Sequence, residues 1–287
     1  MLTLLVVVLL AAACSSSPAD TTTSPTLPST TTTAPDLTTT TLLALPSLLE
    51  STTLDGLPID IYGPSEVGDW PVVVVLHGGG WFGGQPATMA PLAADLASRG
   101  MVVFNATYRT AGGGYPESFE DVACAFRFAV ETAPRFTTQS RGPVIIGHSA
   151  GAHLGSVVAL AGQAFGGECS LDGWVNPAGF VGLAGPYDVT RFTLVLPSYF
   201  GTRYEVDPTP WEEGSPFFHL EENSELSVLL IHGDEDELIP TEFSQDLALA
   251  LEQNGYQTTL EILEGANHSG ARDPALVGDL IAQFIFP

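Results

Sequence analysis

The chain has 287 residues, 45% hydrophobic and 14% charged, which is enough apolar material for one large α/β domain plus additional segments. Eight Lys+Arg stand against 33 Asp+Glu, a formal net charge of -25, and there is no lysine at all. A surface of that sign repels polyanions, which argues against nucleic acid as a partner and against adhesion to anionic membranes through a basic patch.

The first segment, residues 1–14 (MLTLLVVVLLAAAC), is an apolar run of signal-peptide length, too short to span a bilayer comfortably. Ala11, Ala12 and Ala13 precede Cys14, and serines follow. The pattern resembles a bacterial lipoprotein signal. The resemblance implies an exported protein held in the cell envelope by lipid on Cys14; the alternative is an ordinary cleaved signal and a secreted product. Residues 15–46 are mostly Ser, Thr, Pro and Ala, cannot bury a core, and are expected to be a disordered spacer. The folded domain is expected over residues 47–287.

Within that domain Leu57–Tyr62 alternates like an amphipathic edge strand, and Val72–Leu76 is a β-branched run expected to be buried on both faces. Pro86–Arg99 reads as a helix stopped by Gly100, Met101–Asn105 as a strand, and Glu117–Thr132 as a helix. A strand beginning at Val144 leads into Gly147-His148-Ser149-Ala150-Gly151, and a small-residue helix runs on to Ala161. Gly179–Ala184 and Leu226–Ile231 are further strands, Thr241–Asn254 a helix, Gln257–Leu263 a strand and Pro274–Phe286 a closing helix. Alternating buried strands and helices imply a doubly wound, mostly parallel sheet, with sites at the carboxyl ends of its strands. Between about 188 and 225 the alternation lapses into aromatics, prolines and glycines. This stretch is expected to be a cap-like insertion whose aromatics either line a pocket or pack the insertion down. Cys124 and Cys169 form a disulfide on this reading, or remain two buried thiols.

Gly147–Gly151 is a G-x-S-x-G on a strand-to-helix turn, the form of a nucleophile elbow. Acyl transfer from Ser149 needs a base, a carboxylate to orient the base, and N–H donors for an oxyanion. Downstream, His268 lies in a glycine-bearing loop after the last strand, where a general base is required. His232 is expected to brace the acid loop and His219 to be structural. Asp234, Glu235, Asp236 and Glu237 crowd one loop; the form H-G-x-x-D-x-x-[VI]-P resembles the acid loop of many bacterial hydrolases, a resemblance that implies Asp236, with Leu238-Ile239-Pro240 packing behind it and Asp234 as runner-up. Upstream, His77-Gly78-Gly79-Gly80-Trp81 follows a strand, and its glycines allow bare backbone to approach a substrate.

Together these motifs resemble the α/β-hydrolase superfamily, and more narrowly the HGGG-type carboxylesterases related to hormone-sensitive lipase and to acetyl esterases. The resemblance runs from about residue 54 to the end. It implies Ser149 as nucleophile, His268 as base and then acid, and Asp236 as orienting carboxylate. It implies an oxyanion hole from the N–H groups of Gly79, Gly80 and Ala150, supported by His77, Gly78 and Trp81. No cofactor and no metal are expected. The substrate would be a small or polysaccharide-linked ester. The HGGxW form is shared with kynurenine formamidase-like enzymes, so an amide substrate is one alternative and a non-catalytic binding protein another.

Overall fold

A computed structural model describes residues 47–286 apart from 111–113, 168, 173, 222 and 224. The signal reading for residues 1–14, with Cys14, and the spacer reading for 15–46 lie outside the described residues.

Eight strands form one sheet: β1 (Ser47–Leu54), β2 (Leu57–Gly63), β3 (Val72–Leu76), β4 (Val102–Ala106), β5 (Val144–His148), β6 (Gly179–Leu183), β7 (Ser227–Gly233) and β8 (Gln257–Leu263). Their spatial order is β1-β2-β4-β3-β5-β6-β7-β8. The β1–β2 and β2–β4 pairs are antiparallel and all the others parallel. The doubly wound sheet expected from the sequence is present. The edge assignment of Leu57–Tyr62 is corrected: β1 adds outside it, so β2 is paired on both sides and buries Ile59 and Ile61. The Ser/Thr-rich sequence of β1 gave no alternation strong enough to reveal that outer strand.

The continuous apolar strands are explained by two cores. Along β3, Val72, Val74 and Leu76 enter one cluster, while Val73 and Val75 enter the other. Successive side chains point to opposite faces, so a strand covered on both faces must be apolar throughout. Helices α1 (Ala90–Ser98) and α6 (Pro274–Ile285) cover one face through Leu92, Leu96, Val277 and Ile281. Helices α2 (Glu117–Thr132), α3 (Ala150–Ala161) and α5 (Glu242–Gln253) cover the other through Phe119, Phe126, Leu154 and Leu247. The helix expected over Pro86–Arg99 is divided into a 3-10 turn at Pro86–Thr88 and α1. Pro91 lacks an N–H, and its ring would collide with a carbonyl one turn back, so the helix restarts just ahead of it.

The insertion at 188–225 contains only short elements, including α4 (Thr209–Glu213). Its aromatics pack inward apart from Phe218, which stands exposed. Trp211 is fully buried and stacks on Phe200 at 4.4 Å, and Tyr199 meets Phe200 at 4.9 Å. Of the two roles weighed for them, packing is the one observed. Cys124 on α2 is bonded to Cys169, 45 residues later, with Cα atoms 5.4 Å apart. The disulfide ties the segment after α3 to α2.

Candidate active site

The carboxyl end of β5 turns sharply into α3, and Ser149 is the turn. Its backbone sits at φ 54°, ψ −122°, a region that side-chain-bearing residues avoid. Two contacts hold it there: its N–H donates to Leu183 O at the end of β6 at 2.9 Å, and its C=O accepts from Ala152 N at 2.9 Å. The flanking glycines are steric requirements. A Cβ on Gly147 would lie 2.2 Å from Gly151 O, and one on Gly151 would lie 2.3 Å from His77 O. Ala150 is the first residue of α3, where backbone N–H groups have no acceptor within the helix.

Beyond β8, His268 Nδ1 donates to Asp236 Oδ2 at 2.7 Å. Asp236 comes from the loop after β7, and its side chain is fully buried. Its Oδ1 accepts the N–H groups of Leu238 and Ile239, both at 2.9 Å. Burial pushes its pKa up, but the Ile239 N–H, His268 and the Leu238 N–H outweigh it and hold the carboxyl below its ordinary value. Asp234, the runner-up, is turned elsewhere: its Oδ1 accepts Gly265 N–H at 2.7 Å, bracing the loop that carries His268. His232 Nε2 lies 2.8 Å from Ile239 O and 3.2 Å from Asp236 Oδ2, and its Nδ1 lies 2.7 Å from Ser244 Oγ. It braces the acid loop, as the sequence suggested. His219 Nε2 bonds Glu213 O at 2.8 Å within the insertion. Leu238 departs from expectation: it does not pack behind the acid but stands 70% exposed at the mouth of the site.

The loop after β3 is held by His77. Its Nδ1 bonds Gly78 O at 2.8 Å and its Nε2 bonds Thr107 Oγ1 at 2.7 Å. The ring stacks on Tyr108 at 4.5 Å, and the Tyr108 hydroxyl donates to His77 O at 2.7 Å. Gly79 lies at φ 148°, and its carbonyl accepts from Gly83 N–H at 3.1 Å. A Cβ on Gly79 would sit 2.0 Å from Gly83 O, so this turn admits only glycine.

Gly78, Gly79, Gly80, Trp81, Ser149 and His268 all border one cavity of about 410 Å³ at the carboxyl ends of the strands. A larger recess of about 780 Å³ opens at the opposite, amino ends and touches none of these residues. The chemistry belongs to the smaller one, because the elbow, the histidine and the glycine loop converge there.

The BD-FAE family model matches residues 59–251, which takes in the glycine loop, the elbow and the acid loop. The chain belongs to the BD-FAE family. It is 28% identical over 239 residues to a probable isoprenylcysteine alpha-carbonyl methylesterase of Oryza sativa, covering 74% of this chain and 56% of that protein. It is 35% identical over 132 residues to the carboxylesterase NlhH of Mycobacterium tuberculosis, covering 43% and 41%. The chain thus spans about half the length of the curated relatives it matches. Among solved structures it superposes on Thermogutta terrifontis esterase 2 phosphonylated by sarin, with TM-score 0.70, 21% identity, and 83% of this chain and 95% of that one covered. A truncated carbohydrate esterase from gut microbiota gives TM-score 0.70 at 21% identity, covering 82% and 92%. The fold is that of the α/β-hydrolases.

Two histidines of this BD-FAE chain were given no role by sequence reasoning. His148 donates Nε2–H to His268 O at 3.0 Å, and the two rings lie 4.8 Å apart. Burial lowers its pKa to about 3, with His268 and Arg272 pushing the same way, so it stays neutral. His153 accepts the Trp81 indole N–H on Nδ1 at 3.1 Å and donates Nε2–H to Gly214 O at 2.7 Å. Burial lowers it to about 4. Trp81, itself at φ 68°, therefore ties the glycine loop to the elbow helix. The spacing in Gly147-His148-Ser149-Ala150-Gly151-Ala152-His153 carried a signal, since both histidines flank the serine within one turn. Thr107 and Arg272 carried none.

Proposed function

We propose that this chain is a serine carboxylesterase acting on small esters through an acyl-enzyme on Ser149. The observation that carries the reading is the 2.7 Å contact from His268 Nδ1–H to the buried Asp236 carboxylate, at the wall of the cavity that Ser149 also borders. A carboxylate can only accept, so this bond leaves the Nε2 lone pair of the neutral ring available to take the Ser149 proton. The hydroxyl oxygen then attacks the ester carbonyl. N–H groups of Gly79, Gly80 and Ala150 receive the developing oxyanion, and His268 returns the proton to the leaving alcohol. Water repeats the sequence to release the acid and free Ser149. His77, Gly78 and Trp81 keep the glycine loop in place. A cavity of about 410 Å³ with Leu238 at its rim suits short acyl groups better than long lipid chains. The relatives, a carboxylesterase and a probable methylesterase, and the structural neighbours, an esterase and a carbohydrate esterase, support an ester as substrate.

We also propose, on the composition of residues 1–46 alone, that the domain is exported and tethered through Cys14 by the Ser/Thr/Pro-rich segment, where esters of extracellular polysaccharide are accessible.

A fluorophosphonate probe tests the chemistry. The wild-type protein takes the label and Ser149→Ala does not. A folded wild type that stays unlabelled, or a labelled Ser149→Ala, sinks the mechanism. Hydrolysis of paired ester and formamide substrates separates the esterase from the formamidase alternative.

A further inference from the structure

Arg272 borders the same cavity as Ser149 and His268 and has no part in the mechanism above. It stands four residues beyond His268, in the 3-10 turn Gly270–Arg272. Its Nη1 donates to Thr88 O at 2.5 Å, which fixes the guanidinium against the cavity wall and leaves its other N–H donors uncommitted to any carboxylate. Among the described residues no Asp or Glu oxygen lies within ion-pair distance of it. Acidic residues outnumber the eight arginines by about four to one, yet among the described residues Arg272 shares the lack of a carboxylate partner with Arg127, Arg141 and Arg203; it alone of these borders the catalytic cavity. Arg99, Arg109, Arg135 and Arg191 each hold a carboxylate. None of the residues lining the catalytic cavity is acidic. The protein thus keeps an unpaired cation beside its reacting groups while the rest of its surface is strongly negative.

That placement has a cost if the substrate is neutral. The positive charge of Arg272 already bears on His148, whose ring lies 4.8 Å from His268. During catalysis the His268 ring becomes cationic on the wall of the same cavity, and like charges oppose one another. A carboxylate held on Arg272 removes that penalty and uses the donors in the bidentate geometry that guanidinium prefers.

We propose that Arg272 is a specificity-determining residue that binds a carboxylate carried by the ester substrate. The proposal rests on the esterase reading and adds the substrate's charge to it. The carboxylate can belong to the acyl group or to the alcohol, and two matched pairs of esters distinguish these. Mono-p-nitrophenyl glutarate against p-nitrophenyl pentanoate places the charge on the acyl side. p-Acetoxybenzoate against its methyl ester places it on the alcohol side.

For each pair kcat/KM is measured with the wild type, Arg272→Gln and Arg272→Lys. In one pair the anionic-to-neutral ratio falls by about tenfold or more in Arg272→Gln, the loss expected for a charge-assisted bidentate contact. Arg272→Lys recovers part of the ratio, and the wild-type KM for the anionic ester rises with salt. If Arg272 only anchored Thr88, neutral and anionic esters would decline together and the ratio would stand. An unchanged ratio in both pairs overturns the proposal, as does a wild type that hydrolyses the neutral esters but neither anionic one. Fluorophosphonate labelling retained alongside such a result leaves the esterase reading intact. Loss of labelling in the wild type removes both.

Discussion

The conformation of Ser149 predicts that the residue most needed for activity is harmful to stability. At φ 54°, ψ −122° its Cβ crowds the local backbone. A residue held in such a sparsely populated region costs about 1–3 kcal/mol. Replacing Ser149 with glycine removes the Cβ and the strain. It also gives the unfolded chain more freedom, which opposes the gain by about 0.4–1 kcal/mol. The net stabilisation is then about 1 kcal/mol, equivalent to about 2–4 °C in Tm for a domain of this size. Ser149→Ala keeps the Cβ and therefore the strain, so it is the proper reference. Both variants lack the nucleophile and should be silent in ester hydrolysis and fluorophosphonate labelling. Thermal unfolding followed by circular dichroism, with urea midpoints as a check, should order them Ser149→Gly above Ser149→Ala. If Ser149→Gly melts at or below Ser149→Ala, the elbow is not strained in the way its dihedrals imply. In that case the neighbouring strand and helix have relaxed to suit the side chain.

Three other outcomes are expected. Asp236→Asn places an amide where His268 Nδ1–H and His232 Nε2–H both donate, and turning the His268 proton to face Ser149 disables the base. kcat/KM for a p-nitrophenyl ester should fall by about three to four orders of magnitude with the fold retained, and a variant keeping most of its activity refutes the assignment. Replacing Cys124 and Cys169 together with serine opens a loop with sequence separation 45. It should lower the urea-derived stability by about 2–4 kcal/mol, and a shift near zero means the unfolded chain is already constrained there. Acid should unfold the protein through its buried histidines. His148 and His153 have folded values of about 3 and about 4, against 6.5 for the free ring. Above 6.5 neither state holds the proton; below it the unfolded chain binds a proton that the native site refuses. Each site therefore removes about 1.4 kcal/mol per pH unit as the pH falls from about 6 toward 4. Stability measured over that range in His153→Gln should show a slope shallower by about one proton, and an unchanged slope contradicts the assignment.

The parts of this fold that were legible in the sequence are those where one local cause acts alone. β3 and β8 fall on the residues read for them, because a run of β-branched residues or a clean turn on either side admits one reading. α2 is bounded as expected, by its acidic first turn and its apolar periodicity. β1 was not legible: Glu50, Ser51, Thr52 and Thr53 form a strand only because β2 offers a free edge, a tertiary cause that no window of sequence contains. The site divides the same way. Ser149, Asp236 and His268 were nominated from motif and chain order, and the fold brings His268 onto Asp236 and onto the cavity that Ser149 borders. Asp236 was preferred to Asp234 from the form of the acid loop, and the fold turns the Asp236 carboxylate toward His268 and that of Asp234 toward Gly265. The insertion's aromatics could have lined the cavity or filled the space above α2 and α3. Tyr199, Phe200 and Trp211 do the second, and sequence spacing holds no term for that choice.

The six histidines show how the fold sets the proposed base, His268, apart from the other five. His77 bonds the carbonyl of Gly78, His148 that of His268, His153 that of Gly214, His219 that of Glu213, and His232 that of Ile239. A carbonyl only accepts, so each of these rings must present N–H to it, which fixes the tautomer. In His77, His148, His153 and His232 burial then lowers the pKa and keeps the ring neutral. Their second nitrogens are also used where partners are seen: Thr107 for His77, Trp81 for His153, Ser244 for His232. His268 differs in kind. Among the described residues its ring bonds a carboxylate, that of Asp236, where the other five rings bond carbonyls. Its other nitrogen belongs to a side chain that borders the cavity. His232 reaches the same carboxylate at 3.2 Å, but it is wholly buried and has no free nitrogen to offer a substrate. A carboxylate partner and a place on the cavity that Ser149 borders therefore coincide at one position. His77, His148, His153 and His232 form a neutral frame that holds the glycine loop, the elbow helix and the acid loop in register around it.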